Sequence, residues 1–285
     1  MRVESAKEIK IYMAENATKD EKTFFGDLVP MIVKKARGSG PTLKRDVAGE
    51  IKAQAETFWA TDNLDKRTDC QFLKHALPRR IQNAGTTLGL SEPKPDWVYG
   101  LKRPLRPELT LPTVSEAAKA LIEVAPGIQH AWFAVENKGA EDSIESAETQ
   151  AIRSGAALVS AQRQLTILAG LLDPATESIG ADQESIAFTC SWVPQLAKIH
   201  VHWHEKRLNG VSIYHMNLIR GYMMIDKTHI SDFRKDVHNV LDYGVSKTRK
   251  EKLKELIVAI AKVEAERSPK KQVSEGSTTN EWAGS

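Results

Sequence analysis

The chain has 285 residues, 41% of them apolar and 27% charged, with a net charge of +3. That length can bury a sizeable core in one large domain or two small ones, and the composition excludes disorder throughout. The charge is too small to argue for a polyanionic partner by itself, and two cysteines, Cys70 and Cys190, exclude a disulfide framework and an all-cysteine zinc site and fit buried thiols in a reducing compartment.

The first ninety residues read as helical. Phe24, Phe25, Leu28, Val29, Ile32 and Val33 recur at helical spacing, and Val47, Ile51, Ala55, Phe58 and Trp59 share the face of a second helix. A third is expected from Gln71 to Asn83. The first segment carries no signal-peptide h-region, and no stretch holds the roughly 18 apolar residues of a membrane span. The expected setting is therefore intracellular, nuclear or cytoplasmic, with no membrane partner.

The pattern then changes. Asp96-Trp97-Val98-Tyr99-Gly100-Leu101 is aromatic and β-branched and reads as a strand. A proline-rich stretch follows, then a short helix from Ser115 to Glu123 with Ser115 as N-cap. His130 to Lys138 reads as a second strand. A long helix is expected from Ile144 to about Leu172, capped by Asp142 or Ser143. An acidic loop over 173–184 leads to strands at Ser185–Trp192, Ala197–His204 and Ser212–Met224. Two helices end the ordered part, one with Phe233, Val237, Val240 and Leu241 on a face and Gly244 as its stop, the other carrying Leu253, Leu256, Ile257 and Ile260. The order predicts an α/β or α+β fold, a central sheet with helices at both ends. Its divisions are an N-terminal helical segment over 1–40, a main domain over 41–266 and a disordered tail over 267–285.

The chemistry sits at the end of the second strand. Alternation puts Trp132, Ala134, Glu136 and Lys138 on one face, and Phe133, Val135 and Asn137 on the other. A carboxylate and an amine thus close an otherwise apolar strand, where a buried charge needs a partner. Asp96, at the start of the preceding strand, can converge on Glu136 if the two strands are neighbours. Two carboxylates with a water shell suit Mg²⁺ or Mn²⁺. Such an ion would activate water and stabilise charge on a scissile phosphate, with Lys138 serving that water.

Pro95-Asp96, then Glu136-Asn137-Lys138, then a long helix, resembles the PD-(D/E)XK nuclease superfamily. PDWVYGL, FAVENKG, ESAETQAIRSGAALVSA and HNVLDYG resemble most a fungal group with a nuclease-like domain of this kind, over residues 45–245. The resemblance implies a restriction-endonuclease-like mixed sheet. It implies that Asp96 and Glu136 bind the metal, that Lys138 serves the nucleophilic water and that Gln150 faces the site. Arg153, three residues on, would meet a phosphate. A further N-terminal acid is common in the superfamily; Glu50 and Glu56 both qualify here. The insertion between Asp96 and Glu136 spans 39 residues and must accommodate its own helix.

Lys102, Arg103 and Arg106 form a basic loop after the first strand that can track nucleic acid. From Arg234 to Lys271 there are eleven Lys or Arg against six Asp or Glu; their mixing reads as a solvated helix face. His200, His202 and His204 share one strand face, expected to be polar and solvated, with Ile199, Val201 and Trp203 packed inward. The function that follows is a Mg²⁺- or Mn²⁺-dependent nuclease acting on DNA or RNA, open to homodimer formation. The alternatives are an inactive nuclease fold that binds nucleic acid and a fungal interaction or effector-like protein.

Overall fold

A computed structural model describes residues 44–45, 51–52, 64–68, 71–72, 76, 92–102, 114–174, 180–208 and 210–267. Most of the expected N-terminal helices, Glu50, Glu56, Cys70, Arg103, Arg106 and the tail from Ser268 lie outside them.

Six strands form one mixed sheet: β3 Leu64–Thr68, β4 Trp97–Lys102, β5 Ile128–Asn137, β6 Gly180–Val193, β7 Leu196–Lys206 and β8 Ser212–Met223, side by side in that order. β5 and β6 run parallel, and every other neighbouring pair is antiparallel. A separate two-stranded ladder joins β1 Lys44–Arg45 to β2 Ile51–Lys52. The helices are α1 Glu116–Ile122, α2 Ile144–Leu168, α3 Lys227–Val245 and α4 Lys247–Arg267. The molecule is a mixed α/β fold, as expected, with helices against a six-stranded sheet. Among the described residues no helix is long and apolar enough to cross a membrane.

The strands at 51–52 and 64–68 correct the helical reading of the first ninety residues. Asp65, Lys66, Arg67 and Thr68 carry no apolar alternation. An edge strand is held by backbone pairing with its neighbour, here β4, and such pairing leaves no mark on composition. The acidic loop is likewise shorter than expected, because β6 begins at Gly180 and pairs with β7 from its first residue.

β5 lies inside the sheet, joined to β6 through α2, so both its faces are covered. Its run Ala131-Trp132-Phe133-Ala134-Val135 is buried throughout, as parallel-paired strands require. Trp132, which alternation groups with Glu136, instead packs on α3 and donates from Nε1 to the Val240 carbonyl at 3.1 Å. The strand is irregular near there: its register with β4 shifts between Tyr99 and Leu101, and His130 has a φ of 49°. Gly244 is inside α3, not at its stop. A Cβ there would meet the Trp132 ring at 1.5 Å.

α2 begins at Ser143, whose hydroxyl accepts from the Ser146 N–H at 3.3 Å. It ends at Leu168, four residues earlier than expected, in a Schellman turn. Gly170 takes φ +68°, Leu171 N–H bonds Thr166 O at 3.1 Å, and Gly170 N–H bonds Ile167 O at 3.0 Å. Much of its buried face is small: Ala147, Ala151, Ser154, Gly155 and Ala161. Small residues bring the helix axis close to the sheet, and the sheet face beneath is polar.

That face includes the three histidines. His200, His202 and His204 are buried, which corrects the expectation of a solvated face. The pattern misleads because α2 packs over the histidine face, while Val201 and Trp203 on the other face are only half-buried. Of the alternate residues only Ile199 is fully buried, so residue type alone does not tell inside from outside here. His202 Nε2 hydrogen-bonds Thr189 Oγ1 at 2.8 Å, His200 Nε2 meets Glu148 Oε1 at 3.1 Å, and His204 lies edge-on to Tyr214.

Gly155 exists for His202. A Cβ there would come within 2.2–2.4 Å of three ring atoms. The ring is fixed by Thr189 and cannot retreat. Gly155→Ala gains about 1 kcal/mol of helix propensity but overpacks by about 1–3 kcal/mol or more. A net loss of stability is expected in urea unfolding. An unchanged or higher midpoint would show that His202 can move.

Candidate active site

Antiparallel pairing explains why Asp96 and Glu136 meet. Trp97 stands opposite Val135, so the residue before β4 falls beside the last residues of β5. Asp96 occupies that place, and its Oδ2 accepts the Asn137 backbone N–H at 2.6 Å. Pro95 and the first residues of β4 are buried, which holds the aspartate at the strand entry.

Glu136 is 2% exposed. Its Oε1 accepts the Ser154 hydroxyl at 2.5 Å, so the carboxyl lies between β5 and the middle of α2. Burial pushes its pKa up to about 8; the Asp96 charge adds to this, while the Ser154 bond, Lys138 and Arg153 pull the other way. Two carboxyls at one strand end thus hold a proton at neutral pH unless a cation replaces it.

Lys138 is half-buried just beyond β5, anchored by its N–H to the Trp192 carbonyl at 2.8 Å. Arg153 is half-buried on α2 beside Ser154. Gln150 precedes Ser154 by one helical turn, on the same face and half-buried. The fold therefore gathers Asp96, Glu136, Lys138 and Arg153 at one end of the sheet, with Gln150 on the adjacent turn. It does not gather Lys102. β4 carries the chain away from Asp96, and Lys102 pairs with Ile128 at the start of β5. At about 3.4 Å per residue, the Lys102 backbone stands roughly 20 Å from the carboxylates.

Ser154 was not legible in the sequence as a site residue. Its signal was its place four residues after Gln150 on a helix face of small side chains. Across β6 lies a second polar group that sequence reading also missed. Ser191 is opposite Glu136 and Lys198 is opposite Ser191; Glu148 of α2 binds Lys198 Nζ at 2.9 Å together with His200. No spacing rule ties Glu148 to residues fifty positions on.

Among the described residues no group of three or more His, Cys, Asp or Glu side chains could enclose a metal ion. Asp96 and Glu136 offer two oxygen-bearing groups at one strand end. This donor set fits a hard divalent ion that keeps most of its water, Mg²⁺ or Mn²⁺, and not a caged transition metal.

No curated protein and no solved structure matches the chain. The family model described as a domain of unknown function, DUF7924, matches residues 11–257, well over half of the chain, and the protein belongs to that family.

Proposed function

We propose that the protein is a divalent-metal-dependent nuclease of the PD-(D/E)XK type. The observation that carries this reading is the convergence of Asp96 and Glu136, from the entry of one strand and the end of its neighbour, with Lys138 next to Glu136 and α2 packed behind. That is the ordered set whose resemblance to the superfamily the sequence carries. Asp96 and Glu136 would hold Mg²⁺ or Mn²⁺, which when bound supplies an acidified water and charge stabilisation at a phosphate. Ser154 fixes the orientation of the Glu136 carboxyl. Lys138, tethered by its backbone to β6, would orient the attacking water and bring positive charge to the phosphate. Arg153 and Gln150 stand on the helix face above to hold the phosphate oxygens. The substrate is the phosphodiester backbone of DNA or RNA.

The test is cleavage of plasmid and single-stranded substrates with Mg²⁺ or Mn²⁺. Lys138→Met should cut at least about 10²-fold more slowly with an unchanged circular dichroism spectrum. A folded wild type that binds nucleic acid without cutting would instead favour the inactive nuclease fold. One that does neither would leave a protein-interaction role.

A further inference from the structure

At the other end of the sheet, α2, α4, β5 and β6 line a narrow cleft that opens to solvent. Its walls include Arg249, Lys252, His130, Gln162, Ser185 and Glu184. The wall is unusual in its charge. Arg249 is 8% exposed, yet no carboxylate lies within ion-pair distance of it among the described residues. Its partners are neutral: Nη1 donates to the Tyr243 hydroxyl at 2.9 Å and Nη2 to His130 Nε2 at 3.1 Å, and the guanidinium lies over the Tyr243 ring, 4.8 Å from its centre.

A guanidinium has donors only, so His130 Nε2 is the acceptor and the ring proton sits on Nδ1. The ring is neutral for the same reason: burial, then the charges of Arg249 and Lys252, hold its pKa well below the usual histidine value. His130 Nδ1 and Arg249 Nε are both buried without a hydrogen-bond partner. His130 also takes the left-handed backbone conformation, which is costly for a residue with a Cβ and is kept where the surroundings require it. Arg249 lies in the first turn of the 21-residue α4, whose N-terminus adds positive potential. Glu184 is the one acid on the wall, and Lys252 holds it. A buried cation without a counter-charge is strongly unfavourable, and a cleft that opens beside it admits one from outside.

We propose that this cleft is a binding site for a single phosphate-type oxyanion, with Arg249 as its charge and Lys252 and Ser185 as rim donors. The guanidinium fork suits tetrahedral oxyanions, and Lys252, paired with Glu184 at the rim, turns its ammonium from that carboxylate to an entering anion. The site is separate from Asp96 and Glu136: about 20 Å divides His130 from Glu136 along β5 at the usual rise per strand residue. It does not depend on the metal site.

The test is thermal unfolding of the full chain with inorganic phosphate titrated against NaCl at equal ionic strength and without divalent metal. Wild type should show a saturable rise in melting temperature with phosphate that NaCl does not give. Lys252→Gln, on the half-exposed rim, should weaken the apparent affinity roughly tenfold. Arg249→Lys, which keeps the charge but loses the fork, should do so at least as much; if it does not fold, Lys252→Gln decides. No saturable rise in wild type, or equal rises in wild type and Lys252→Gln, overturns the proposal. Once the rise is seen, displacement of a fluorescent single-stranded oligonucleotide by phosphate assigns the anion to a nucleic-acid backbone, and a lack of displacement assigns it to free phosphate or a small phosphate ester.

Discussion

Replacing Glu136 with Gln is expected to abolish cleavage while leaving the fold more stable than wild type at high pH. The two effects come from one carboxyl. Gln keeps the shape and can still accept the Ser154 hydroxyl, but it cannot offer a charged oxygen to a metal, and loss of one preorganised electrostatic group costs roughly 10²–10³-fold in rate. The stability effect follows from burial. Glu136 in the folded chain titrates at about 8 instead of 4.5. A raised carboxyl contributes stability that is complete below pH 4.5 and is lost as pH rises to 8, because the unfolded chain gives up the proton first. The full loss is on the order of 5 kcal/mol. Glu136→Gln has no such slope. Urea midpoints for both proteins, taken without divalent metal from below pH 4.5 to above pH 8, should therefore diverge as pH rises. Parallel profiles would mean that Glu136 is not held protonated by its surroundings. Cleavage by Glu136→Gln at the wild-type rate would remove the carboxylate from the site and take the nuclease reading with it.

The strand carrying Glu136 was legible because its apolar run, β-branched content and glycine stop agree with each other; β6, β7 and β8 were legible from their apolar content and from the turn residues Pro194 and Asn209-Gly210 between them. The meeting of Asp96 with Glu136 was legible only conditionally: it needed β4 and β5 to be neighbours, and the register Trp97–Val135 supplies that. Lys102 shows the opposite case. It is close to Asp96 in sequence, but a strand separates its two ends by its whole length, so chain proximity misplaced Lys102. The histidines show a third. Alternation marks two faces of a strand but not which is buried, and when a helix of small residues covers the polar face the usual assignment inverts. Arg249 left no signal either, since its partners Tyr243 and His130 are brought to it by helix packing and by an irregular strand.

His202→Gln is expected to remove most of the acid limb of the stability curve. Burial, and then the neighbouring His200, lower the His202 pKa to about 3. The folded chain keeps this ring neutral and bonded to Thr189, whereas the unfolded chain takes up a proton near 6.5. The stability this gives is complete above pH 6.5 and is lost as pH falls toward 3, again on the order of 5 kcal/mol over the whole window. His200, also lowered by burial though its Glu148 partner opposes the shift, adds a slope of the same sign. Glu136 runs the other way between 4.5 and 8. From pH 4.5 to 6.5 the two buried groups oppose each other and the curve should be nearly flat. Below 4.5 His202 acts without opposition and stability should fall as pH falls; above 6.5 Glu136 acts without opposition and stability should fall as pH rises, with a similar slope. In His202→Gln the plateau should become a continuous fall with rising pH, and adding Glu136→Gln should flatten it again. If the single variant keeps the wild-type acid limb, His202 is hydrated or displaced in solution, and the close packing of Gly155 against it would then have to be given up as well.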